Sequence, residues 1–208
     1  MADMDPVNYA RWSDACAEVG VAAQERDYRR VRRAWRSMGR HYHTLVHLQS
    51  CLREFDAVKH LALRRAEVEL ALWFHDAVYR SWRRDNEAQS AALAADLLRA
   101  ASIETVERIR QMILDTRHRD EPLAGDAALL VDVDLAILGQ PADVYTAFAG
   151  AIRREYWWVP RERYVAGRGK LLQQFLSRAT IYQHDFFHSK YEQQARANIA
   201  AELQRLAA

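Results

Sequence analysis

The segment Leu70-Ala71-Leu72-Trp73-Phe74-His75-Asp76-Ala77-Val78-Tyr79 runs through five consecutive apolar residues and then sets an imidazole beside a carboxylate. A helix this apolar belongs to a core, and a core takes a charge only with a partner. A divalent metal ion would satisfy His75 and Asp76 at once. The same holds for Leu129-Leu130-Val131-Asp132-Val133-Asp134-Leu135-Ala136-Ile137-Leu138, where two carboxylates interrupt an otherwise apolar helix.

Outward from these two segments, breakers and capping residues cut the chain into helix-sized pieces. Asp5-Pro6 offers an N-cap and a first-turn proline, and Gly20 closes that helix. The next runs to about Gly39, with Tyr28, Val31, Trp35 and Met38 at three- and four-residue spacing. Its other face carries Arg29, Arg30, Arg32, Arg33 and Arg36 and reads as solvated. Periodicity predicts further helices over about 42–58 and about 61–75, from Asn86 to Ala100, and from Ser102 to near Thr116. Another runs from a cap at Asp126 through Leu138 to Gly139, and three more begin at Pro141, at Arg161 and near Ser189. No alternating strand pattern exceeds about four residues, and no Gly-, Ser- or Pro-rich linker divides the chain. The expectation is an all-α fold, one compact helical bundle over residues 1–208. Its core would span about 30–139, with C-terminal helices over about 141–208 packed on it.

Composition narrows the function classes. Half of the 208 residues are apolar and 28% are charged, which excludes a disordered or fibrous chain. Seven Gly and four Pro are too few to turn an all-β fold. A formal net charge of +2 argues against a partner made of long nucleic acid. Lys stands only at 59, 170 and 190, so Arg supplies 27 of the 30 cations. Cys16 and Cys51 sit among apolar helical residues and form neither a CxxC motif nor a disulfide framework. The opening MADMDPVNYARW lacks the basic and apolar regions of a signal peptide. No apolar run approaches the ~18 residues of a membrane span. The chain reads as cytoplasmic, with no membrane partner.

Eight histidines stand at 41, 43, 47, 60, 75, 118, 184 and 188. His43 and His47 are four apart and are expected on one face of the third helix. Such a pair can share an ion, or one can bind metal while the other donates a proton. His184-Asp185-Phe186-Phe187-His188 repeats both the His-Asp dipeptide and the four-residue histidine spacing, but it lies in a polar-flanked segment with no acidic core helix after it.

Arg40-His41-Tyr42-His43-Thr44-Leu45-Val46-His47-Leu48, then Trp73-Phe74-His75-Asp76-Ala77-Val78-Tyr79, then Asp132-Val133-Asp134-Leu135 resembles the HD superfamily of metal-dependent phosphohydrolases, nearest its small stand-alone bacterial group. Ile152-Arg153-Arg154-Glu155-Tyr156, Gly167-Arg168 and Glu192-Gln193-Gln194-Ala195-Arg196-Ala197-Asn198 are similar to later segments of that group. The resemblance implies an HD-type bundle with one metal held by His47, His75, Asp76 and Asp134. It implies Asp134 as the ligand in preference to Asp132, because Leu138-Gly139 follows at the family's spacing, although Leu135 and Ile137 replace the family's Arg and second Asp. Tyr42-His43-x-x-x-His47 also resembles a segment of the cyclic-nucleotide phosphodiesterase branch, which makes His43 the general acid beside the catalytic ligand Asp76. His118 matches a histidine that many small members carry. Glu87 falls where other branches place further ligands.

A set of imidazoles and carboxylates suits Mn²⁺, Fe²⁺, Co²⁺, Ni²⁺, Mg²⁺ or Zn²⁺, with no thiolate offered to narrow the choice. His118, Glu87, Arg40, Arg153 and Arg168, with Lys170, are candidates for a second metal or for the substrate's phosphate. The expected function is hydrolysis of a small phosphomonoester or nucleotide by metal-activated water. The alternatives are a non-catalytic nucleotide-binding HD module and an HD-type metal-dependent oxygenase. Tyr156-Trp157-Trp158 reads as core or as the self-association surface of a homodimer.

Overall fold

The computed structural model describes residues 5–117 and 123–207. Among them the chain forms ten α-helices, two short 3-10 turns and no strand, so the all-α expectation holds. The helices are α1 (Tyr9–Glu18), α2 (Glu25–Ala34), α3 (Leu45–Val58), α4 (Arg65–Phe74), α5 (Asn86–Leu97), α6 (Ile103–Asp115), α7 (Gly125–Leu135), α8 (Ala142–Glu155), α9 (Arg161–Ser177) and α10 (Asp185–Ala207). None is long and apolar enough to cross a membrane, among the described residues. The chain divides into two compact units, Met1–Val131 and Asp132–Ala208, and the division falls inside α7.

The first unit is built around α4, which packs against α1, α3, α5 and α6. The run from Leu70 to Phe74 is fully buried. Trp73 and Phe74 meet Trp12 of α1 edge-on at ring-centre distances of 5.4 and 5.6 Å, and Trp73 meets Tyr28 of α2 at 6.0 Å. Two carboxylates on this buried helix are neutralised by arginine forks. Arg108 of α6 holds Glu67 at 2.6–2.7 Å, and Arg11 of α1 holds Glu69. The entry to α4 is fixed from a distance in sequence, since the Asp126 carboxylate accepts from the Leu63 and Arg64 backbone N–H groups. Asp126 was expected to cap its own helix; here it serves the start of another.

The second unit centres on α10, which packs against α8, α9 and the 3-10 turn Ala136–Gly139. Gly139 is required there because a Cβ would collide with the Tyr191 side chain. Arg168 forks onto Glu202 in the interior, and the Tyr145 hydroxyl donates to the same carboxylate. Asn198 donates to the Leu138 and Gln140 carbonyls, and Glu192 accepts from the Ile181 and Tyr182 N–H groups.

Most predicted boundaries fall within a few residues. Ser102 caps α6 as expected. Gly20 adopts a φ of 78° just beyond α1, where only glycine is unstrained. Other boundaries differ. α2 ends at Ala34, short of the expected Gly39, and Met38, expected on its apolar seam, is exposed. Asn8, not Asp5, caps α1. α3 starts at Leu45 with Thr44 as its cap, so His43 lies in the turn before the helix and not on its face. α10 starts at Asp185, ahead of Ser189.

Candidate metal centre

The centre is assembled in the first unit from the N-terminal turn of α3 and the C-terminal end of α4. His47, two residues inside α3, and His75, at the end of α4, bring their Nε2 atoms to 3.1 Å. Asp76, one residue on, puts Oδ2 at 3.3 Å from His75 Nε2 and at 3.8 Å from His47 Nε2. The third imidazole, His43, reaches the same Oδ2 at 3.8 Å. His43 and His47 therefore converge, but through a common carboxylate and not along one helix face. A turn conformation at His43 achieves what the predicted helix would have done.

Hydrogen bonding sets the chemistry of the donors. His75 Nδ1 lies 2.8 Å from the Leu72 carbonyl, which can only accept, so Nδ1 carries the proton and Nε2 presents its lone pair to the cluster. Two imidazole nitrogens at 3.1 Å are held by a proton or a cation between them. Bonds of ~2.0–2.2 Å from one ion to nitrogen or oxygen donors place those donors about 3–4 Å apart. Each spacing among His47, His75 and Asp76 falls in that range. The residues present thus fit a metal.

Burial grades the three imidazoles. The side chains of His75 and His47 are 1% and 3% exposed, whereas that of His43 is 16% exposed. Trp35, wholly buried, stands 5.4 and 6.1 Å ring-to-ring from His75 and His47. Its Nε1 donates to the Trp73 carbonyl, which ties this wall to α4. His43 stacks on Tyr79 at 3.8 Å.

Arg40 holds the two halves in register. Its guanidinium donates to the carbonyls of His43, Asp76 and Ala77, and its Nε donates to the Ser37 hydroxyl. The same group lies 5.7 Å from both the Trp35 and Tyr79 rings. The other cations that sequence reading offered to a phosphate have protein partners. Arg153 donates to the Tyr156 and Val159 carbonyls at the end of α8 and lies over Tyr164. Arg168 is the interior partner of Glu202. Lys170, Trp157 and Trp158 are exposed. Glu87, near the start of α5, pairs with Arg117. His118 lies outside the described residues.

The two carboxylates of α7 part company. Asp132 is fully buried and accepts from the Gln183 and His184 backbone N–H groups within the second unit. Burial pushes its carboxyl up to about 6, against the pull of those two donors. Asp134, half-buried, lies two residues further on in the second unit.

Cys51 is the member that sequence reading missed, and its presence corrects the expectation that no thiolate is offered. The ligand atoms of His47, Cys51 and His75 all lie within 4.8 Å of one another. The signal was the spacing His47-x-x-x-Cys51, one helical turn, hidden because a buried cysteine in an apolar run reads as a small hydrophobe. A buried group of two histidines and a cysteine is thus able to hold a metal ion. Compared with protein-family models, with curated proteins and with solved structures, the chain matches none.

Proposed function

We propose that the chain is a metal-dependent phosphohydrolase of the HD type, acting on a small phosphomonoester or nucleotide. The observation that carries the reading is the convergence of His43, His47 and His75 on one carboxylate, Asp76, at 3.3–3.8 Å. In this reading His47, His75 and Asp76 of the first unit hold the ion. When bound, a divalent ion supplies Lewis acidity toward phosphoryl oxygens and lowers the pKa of a coordinated water.

The remaining work falls to the protein. His75 is locked in one tautomer by the Leu72 carbonyl, so its Nε2 needs no reorganisation. Trp35 closes the buried side of the cluster against water. His43, the most exposed of the three imidazoles and oriented by Tyr79, delivers a proton to the departing alkoxide.

The test is metal content by mass spectrometry on protein purified without chelator or histidine tag, followed by a phosphatase screen with the metal found. The reading expects about one ion per chain, lost in His75→Ala. Turnover is expected to disappear in Asp76→Ala. In His43→Ala it falls by ~10²–10⁴ with the ion retained. Absence of metal after soaking with Mn²⁺, Zn²⁺ or Ni²⁺, or full activity in Asp76→Ala, sinks it. Tight nucleotide binding without product, or oxygen consumption with two ions per chain, would replace it with a binding module or an oxygenase.

A further inference from the structure

We propose that Cys51 is itself a ligand, which makes the centre a thiolate-bearing site that selects a borderline ion (Zn²⁺, Co²⁺ or Fe²⁺) over Mg²⁺ or Mn²⁺. The inference rests on the metal centre of the preceding reading, not on its reaction. Cys51 follows His47 by one turn of α3, so both side chains leave the same helix face. Its Sγ lies 3.7 Å from each nitrogen of the His47 ring, including the Nε2 that faces His75 and Asp76. A nitrogen and a sulfur bound to one ion, at ~2.1 and ~2.3 Å, stand about 3–4 Å apart. The observed separation fits two ligands of one ion. The sulfur is also within reach of His75, since the ligand atoms of all three residues fall within 4.8 Å of one another.

The second cysteine shows what a packing thiol looks like. Cys16 is as buried as Cys51, but it stands on α1 and belongs to no group able to hold an ion, among the described residues. Cys51 differs in having two imidazole donors beside it. On binding, its S–H bond gives the proton to solvent and the sulfur pair goes to the ion. A soft thiolate raises preference for Zn²⁺, Co²⁺ and Fe²⁺, whereas a site of carboxylates and water would suit Mg²⁺ or Mn²⁺.

The experiment titrates metal-stripped full-length protein with Co²⁺ and follows absorption. Ligation by Cys51 gives a near-ultraviolet sulfur-to-cobalt charge-transfer band that is lost in Cys51→Ser, is kept in Cys16→Ala, and survives excess Mg²⁺. Visible cobalt bands without the sulfur band in the wild-type protein overturn the role of Cys51 and leave the centre standing. Failure to take up Co²⁺ at all overturns both. Displacement of Co²⁺ by Mg²⁺ overturns the claimed selectivity. The wild-type spectrum decides the matter even if Cys51→Ser fails to fold.

Discussion

His75-Asp76 and His184-Asp185 are the same dipeptide on opposite sides of a helix. The first comes at the end of α4, the second at the start of α10. At the C-terminus of α4 the unpaired groups are carbonyls, and His75 Nδ1 donates to that of Leu72. That leaves His75 Nε2 to face His47 and the Asp76 carboxylate. At the start of α10 the unpaired groups are N–H groups, and the acceptor at its entry comes from outside the dipeptide. The His184 N–H donates to Asp132, and Asp185 becomes the first-turn acid that the helix dipole favours. In this chain the pair at the end of a helix meets other imidazoles, and the pair at the start of one is tied to Asp132.

The sharpest way to break this comparison is to truncate both aspartates. Asp76→Ala removes the one carboxylate oxygen that three imidazoles share, so bound metal is expected to fall to background. Asp185→Ala should leave metal content unchanged. Equal metal loss in the two variants, read by mass spectrometry, would erase the distinction. Next in size is Arg40, whose fork joins the carbonyls of His43, Asp76 and Ala77. Lysine cannot reproduce that planar fork. Arg40→Lys is expected to weaken metal affinity by ~10–100-fold in a chelator competition, in the range found when groups behind the ligands are changed. Unchanged affinity would reduce Arg40 to a surface clamp.

How far the sequence was legible follows from the same contrast. Helix-forming segments were, because periodicity and local caps such as Ser102 and Gly20 are written in neighbouring residues. The exceptions have partners far along the chain. α10 begins before Ser189 because Asp132, about fifty residues upstream, accepts the N–H groups at its entry. Local pattern around residue 185 contains no trace of that. Of the side chains that cluster, the imidazoles and Asp76 were legible, because polar groups in apolar segments need partners. Cys51 was not, since its apolar character matches its surroundings, nor was Arg40. Sequence reading offered Arg40 to a phosphate, while the fold spends its donors on three carbonyls and a hydroxyl. The C-terminal segment read by resemblance, Glu192 to Asn198, holds the second unit together. Glu192 anchors the loop before α10, and Arg196 donates to the Leu176, Arg178 and Ala179 carbonyls.

Asp132 and Asp185 separate the two ways in which α10 is started, and their effects are smaller. Asp132→Ala leaves the Gln183 and His184 N–H groups without their acceptor and should cost ~1–3 kcal/mol. Asp132→Asn keeps one acceptor oxygen and sheds a buried charge, so most of that loss should return. The denaturant midpoint of the two variants decides. If Asn is as damaging as Ala, the negative charge and not the acceptor is what holds the loop.

Asp185 is half a turn from the same cap but exposed, and its contribution is only the attraction of a carboxylate for the positive end of the helix. Asp185→Ala is expected to lower stability by ~0.3–1 kcal/mol, and by less in high salt, because screening acts fully on a surface charge. The loss caused by Asp132→Ala should persist in salt, since the lost hydrogen bonds are made to a fully buried carboxylate that salt does not screen. Should both variants respond to salt alike, Asp132 would be acting as a charge, and the capping account of the second dipeptide would fail with it.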